Sequence, residues 1–324
     1  MDILKSVLVT AKTERYGGFS GRYTYKDVVA VKSVGYDEDT NDFRFIVAWK
    51  TECKEGSKRE FVDVRCENRK IMMMSILTLI FGFSEVRYAA SEDCSKDFFL
   101  EQDAPLENCC LYEFLIDLSM AEKFEIDGGW SDHWGRNATV KIPEFTEIVF
   151  EKYFSLPKSL KQAFVNSCHI LELSQSFYFS NRNLSIMLSM TAIEGLITAD
   201  FINDNGKGDE SSIGKVKYVG SYIEKFLVPS GMNKKIRGKL REEFRELYKK
   251  RCEFVHNADV LESDIFVTND AIAPLCGEKE QSDARLALDG ARLCLLGWLC
   301  FPERKPEIKI GEKRCFKCGE KQSG

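Results

Sequence analysis

The chain has 324 residues, of which 44% are hydrophobic and 30% charged, and its formal charge at pH 7 is −5. That length admits two ordinary domains with a sizeable core, and the composition excludes a disordered chain. A weakly acidic total also excludes a global field that recruits nucleic acid, so any such binding needs a local basic patch.

Lys5 and Lys12 bracket a hydrophobic run too short for a secretory signal, and no small-residue cleavage site follows. The most apolar segment, Ile71 to Phe83, falls short of the roughly 20 residues that span a bilayer. It is expected to form a core helix, with no membrane partner. The 12 cysteines are irregularly placed and do not form the pattern of a small disulfide framework, so a reducing cytoplasm is the expected location.

The N-terminal part alternates and turns often. Residues Lys5–Thr13, Gly21–Val34, Asn41–Lys50 and Glu60–Cys66 are rich in Val, Phe, Tyr and Ile and read as strands. Tyr16–Gly18, Asp37–Asp42 and Lys54–Ser57 punctuate them. A helix is expected over about Lys70–Phe83, then a polar segment around Ala90–Asn108 and an apolar stretch at Cys109–Met120. The whole predicts an α+β domain over residues 1–141, suited to sensing or substrate recognition. Within it, Asp127–Asn137 sets His133 between Trp130 and Trp134. Those rings either stack on a ligand or fix the loop to its own domain.

Near Pro143 the period becomes helical and stays so to about Phe301. Helices are expected at Glu144–Phe154, Leu160–Phe179, Asn183–Thr198, Ile213–Phe226, Asn233–Val255 and Ser282–Cys300, giving an all-α bundle over residues 142–301. Pro157 suits a first helical turn. The polar loop Asn203–Ser212 leads into Gly214-Lys215, but its spacing and Val216 rule out a P-loop. His169, inside an apolar helix, is expected to be a satisfied core residue. Residues 302–324 form a basic tail in which Cys315 and Cys318 have the spacing of half a zinc knuckle; no second pair matches it. A flexible tail and a metal site both fit.

The most chemically loaded stretch is Glu242–Val260. Leu240, Phe244, Leu247 and Phe254 share one helix face, and Arg251 takes the position in that seam where an apolar residue belongs. His256 follows five residues later. On the helix at 183–198, Met187, Met190 and Ile197 share a face with Glu194. A carboxylate there is costly unless paired, and Arg251 is its natural partner. The pair is either a structural ion pair fixing helix register, or part of a polar site with His256, whose imidazole both gives and takes protons near neutrality.

The Arg251-x4-His256 spacing resembles the R-x4–6-H motif of the HEPN superfamily. Asn181-Arg182 leading to Ala192-Ile-Glu194-Gly-Leu196, and Leu247-Tyr248-x-x-Arg251 before His256, resemble its Apea-like branch. The likeness covers about residues 143–301. It implies a HEPN-type helical bundle acting as a metal-independent endoribonuclease in anti-phage defence or as a toxin, with no cofactor. The partner so implied is RNA, tRNA among the candidates, cut by a homodimer with a composite active site. By the same resemblance Arg251 contacts the scissile phosphate, His256 handles protons and Glu194 orients Arg251. A catalytically inactive module that binds RNA or a protein partner is the alternative. The sequence departs from the pattern at Cys252 and Asn257.

Nine Lys or Arg and three Glu lie between residues 231 and 251. This stripe, with Arg241, Arg245, Lys249 and Lys250 nearest the motif, either tracks an RNA backbone or forms a solvated face of Glu/Lys pairs.

Overall fold

A computed structural model describes residues 2–13, 22–37, 42–99, 145–178, 180–205, 215–226, 234–257 and 273–306. The chain divides into two compact units, Met1–Lys152 and Tyr153–Gly324. The border expected at 141/142 lies outside the described residues, as do the Trp-rich loop at 127–137, the loop before Lys215 and the Cys315/Cys318 pair.

In the first unit, strands β1 (Asp2–Thr13), β2 (Arg22–Tyr25), β3 (Val29–Asp37), β4 (Asp42–Glu52) and β5 (Phe83–Tyr88) form an antiparallel sheet in the order β2-β3-β4-β1-β5. A short β6 (Glu92–Asp93) pairs with β1. Alternation sets the register. Phe43, Phe45, Val47 and Trp49 of β4 are buried, with Val7 opposite Val47 and Val9 opposite Phe45. Each such side chain contributes about 1.5–3 kcal/mol of burial, whereas a one-residue slip would turn the whole set to solvent.

Two expectations change here. The single strand read over Gly21–Val34 is a hairpin: Lys26 and Asp27 take φ of 44° and 48°, and Val28 N–H donates to the Tyr25 carbonyl at 2.9 Å. Paired positive φ values make a turn whose twist matches its strands, and here it forms without the usual Gly or Asn. Glu60–Cys66, read as a strand, is the first part of helix α1 (Arg59–Phe81). In α1, Met72 through Phe81 are all buried, so the expected core helix is present but starts earlier. Gly82, at φ 67°, ends it by donating its N–H to the Thr78 carbonyl.

Helix α2 (Phe145–Ser155) contains the boundary between the units, and its Phe150 stacks on Tyr25 at 5.5 Å. The second unit contains α3 (Lys158–Phe177), α4 (Arg182–Asn205), α5 (Lys215–Phe226), α6 (Lys234–Asn257) and α7 (Ala273–Cys300). The expected helices all appear, with α4 and α7 longer than read. Pro157 stands just before α3, at the N-cap position rather than in the first turn, and makes no side-chain cap, whereas the Asn181 side chain caps α4 by accepting the Leu184 N–H at 2.8 Å.

Helix α4 is central and packs against α3, α5, α6 and α7. Its length and composition would allow a membrane crossing. However, Met190, Ile193, Leu196, Ile197 and Phe201 are buried in the unit, and its acids are paired, so it is a core helix. The architecture is thus an α+β sheet unit followed by a helical unit.

Candidate active site

The seam on α6 forms as its spacing requires: Leu240, Phe244 and Leu247 are buried, and Phe254 is half-buried. Tyr248 and Arg251, one turn apart, emerge beside α4. Arg251 Nη2 lies 3.0 Å from Glu194 Oε2, with the two side chains 18% and 13% exposed. The Tyr248 hydroxyl donates to the same Oε2 at 3.3 Å, and the guanidinium carbon stands 5.6 Å from the Tyr248 ring centroid. Burial, and then the Glu194 charge, push the Tyr248 phenol well above its ordinary pKa, so it stays protonated as a donor. Arg251 Nε is buried and has no hydrogen-bond partner among the described residues. The fork is therefore fixed from two sides, by a carboxylate and a ring.

The structure thus brings Glu194 and Arg251 together as expected and adds Tyr248. It places His256 on the last turn of α6, with its side chain outside what is described. Five residues along a regular helix put His256 about 7.5 Å further along the axis and roughly 140° around it.

The chain matches no family model, no curated protein and no solved structure.

The basic stripe is less available than its composition suggests. Arg241 lies 3.4 Å from Glu224, Arg245 2.6 Å from Glu242, and Lys239 3.9 Å from Glu243. Lys249 bonds Glu246, and Lys250 bonds Asp283 of α7. Each basic side chain from Lys239 to Arg251 has an acidic neighbour.

His169 is not a core residue. The buried face of α3 is Phe164, Ser167, Cys168, Leu171 and Ser174, which leaves the His169 side chain 51% exposed, 3.4 Å from Glu172. Cys168 and Cys294 are buried, and burial raises their thiols well above the ordinary value, so they serve as small apolar residues. Cys53, Cys66, Cys94, Cys168, Cys252, Cys294 and Cys300 are free thiols.

A second polar cluster is not foreshadowed by any motif. Asp200, on the last turns of α4, is buried. Its Oδ2 accepts from Tyr222 Oη of α5 and from Trp298 Nε1 of α7, the latter at 2.8 Å. Its Oδ1 lies 2.9 Å from Lys305 Nζ, which also reaches Asp204 at 3.0 Å. An Asp three residues after Ile197, in an otherwise apolar run, is the signal the sequence offers. Its partners come from distant stretches that no local pattern links.

Proposed function

We propose that the helical unit is a metal-independent endoribonuclease of HEPN type, acting in anti-phage defence or as a toxin. The observation that carries the reading is the Glu194–Arg251 pair, a half-buried guanidinium fixed five residues before His256 on the same helix. In the proposed reaction a ribose 2′-oxygen bonds to phosphorus, the bond from phosphorus to the 5′-oxygen breaks, and a 2′,3′-cyclic phosphate remains. A proton leaves the 2′-hydroxyl and one reaches the departing 5′-oxygen, the work assigned to His256. Arg251 faces the charge that builds on the phosphoryl oxygens, and its forked donors suit that task. The divergence of Arg251 and His256 around α6 fits a composite site, in which two copies of the chain each supply part.

A specific observation favours a second reading, a catalytically inactive module that binds RNA or a protein. The pairing of Lys239 through Lys250 with acids weakens the stripe as a phosphate track, and Tyr248 completes Glu194–Arg251 as a structural ion pair. Incubating wild type, Arg251→Ala and His256→Ala with RNA in excess EDTA separates the two. Cleavage by wild type alone, ending in cyclic phosphates, is expected. Equal inertness of all three proteins would discard the enzyme reading.

A further inference from the structure

The Glu194–Arg251 contact uses less of the guanidinium than its chemistry offers. Nε and Nη2 share one edge of that group, and a carboxylate set against the edge frequently accepts from both at once. Here Glu194 Oε2 takes Nη2, at 3.0 Å, while the Nε–H beside it is buried and has no hydrogen-bond partner. A buried N–H left unbonded costs stability, so an ion pair selected only to lock two helices would close this second bond.

Tyr248 supplies a reason for the open donor. It lies one turn before Arg251 on α6 and is buried, and its hydroxyl donates to the same Oε2 at 3.3 Å. One carboxylate oxygen thus serves two donors that arrive from the same helix. The Tyr248 ring centroid stands 5.6 Å from the guanidinium carbon, near enough for cation–π attraction to steady the fork. Burial and the Glu194 charge keep the phenol protonated, so this donor is constant across neutral pH.

We propose that Tyr248 is a positioning residue. By holding Glu194 to a one-oxygen grip and backing the guanidinium with its ring, it keeps the Arg251 Nε–H unbonded for a phosphate oxygen. That the phosphate belongs to RNA rests on the ribonuclease reading above; the one-oxygen grip does not. Tyr248 itself touches no reacting atom. Without its hydroxyl the carboxylate is free to swing onto Nε–H and Nη2 together, the two-bond arrangement that Arg–carboxylate pairs favour. The donor is then consumed inside the protein.

The test follows the Arg251 Nε–H by side-chain proton–nitrogen NMR on the full chain in EDTA, the signal being assigned by its loss in Arg251→Lys. Inorganic phosphate should move this signal in wild type, a measurement that stands whether or not any Tyr248 variant folds. In Tyr248→Phe, which keeps the ring, the signal should start downfield, as a carboxylate-bonded N–H does, and phosphate should no longer move it. A purely structural Tyr248 would instead lower the melting temperature and leave the signal and its phosphate response as they were. With RNA, Tyr248→Phe should lose about tenfold in kcat/KM. Added to Glu194→Gln it should cause no further loss, because a neutral amide makes no two-bond grip on the fork. A wild-type signal that phosphate leaves in place would overturn the proposal, as would a Tyr248→Phe signal with wild-type position and response. Spectra that differ as described, with no cleavage by wild type, would remove the ribonuclease and leave Tyr248 positioning an anion-binding arginine. Equal cleavage by wild type and Tyr248→Phe would do the reverse.

Discussion

Glu194 and Arg251 show how one side chain's cost becomes another's constraint. A guanidinium in an apolar seam needs a counter-charge, and a carboxylate on the buried side of α4 needs the same. Glu194→Gln keeps the shape and removes the charge, leaving Arg251 beside a neutral amide. Breaking a fully buried pair costs about 3–5 kcal/mol. With 18% and 13% of these side chains exposed, solvent screening reduces that to roughly 2 kcal/mol. A chemical-denaturation curve should show that loss with an unchanged m-value, and an unchanged midpoint would mean the pair contributes nothing. The pairing was legible because Arg251 breaks a periodic apolar pattern and Glu194 breaks another. Tyr248's part was not, because a Tyr one turn before an Arg reads equally well as core.

At the scale of elements, spacing carried the helical unit well and the sheet unit less well. A 3.6-residue period sustained over about twenty residues leaves few alternatives, whereas short strands depend on their turns. The Lys26–Asp27 turn uses positive φ without Gly or Asn, so Asp27 alone marked the break between β2 and β3 in the sequence. Phe61 and Val64 made the start of α1 look like a strand, yet both are exposed there and do not report a buried face. The charge stripe on α6 was visible, but its neutralisation by Glu224 and Asp283 is tertiary and was not. Close approach between helices is equally invisible to periodicity. At Gly290 on α7, an added Cβ would lie 1.9 Å from Phe244 Cζ on α6. Gly290→Ala should therefore cost about 1–3 kcal/mol by overpacking, seen as a lower melting temperature. A wild-type melt would mean that the Phe244 ring swings aside freely.

Across the whole molecule, buried phenols link stability to alkaline pH. Burial and the Asp200 carboxylate hold Tyr222 far above the ordinary phenol range, and burial first, then Glu147, raises Tyr23 in the first unit. An acid whose folded pKa is raised releases its proton more readily when unfolded. Its contribution is whole below the unfolded value and declines as pH rises beyond about 10. Both units should lose stability above that pH, with tyrosinate absorbance from the buried rings appearing only as the fold opens. Tyr222→Phe should flatten the alkaline decline of the helical unit. An unchanged slope in that variant would show that Tyr222 is not the group responsible.

The Asp200 cluster also has a consequence in time. Its acceptor leaves the ribosome first, Tyr222 follows 22 residues later and Trp298 98 residues later. At about 5–20 residues per second, the wait for Trp298 is roughly 5–20 s, and Lys305 comes later still. During that interval a nascent α4 carries a half-satisfied carboxylate and an apolar flank that α7 has not yet reached. Translation speed through the codons before α7 thus sets how long this helix stays open to chaperones or to a neighbouring nascent copy.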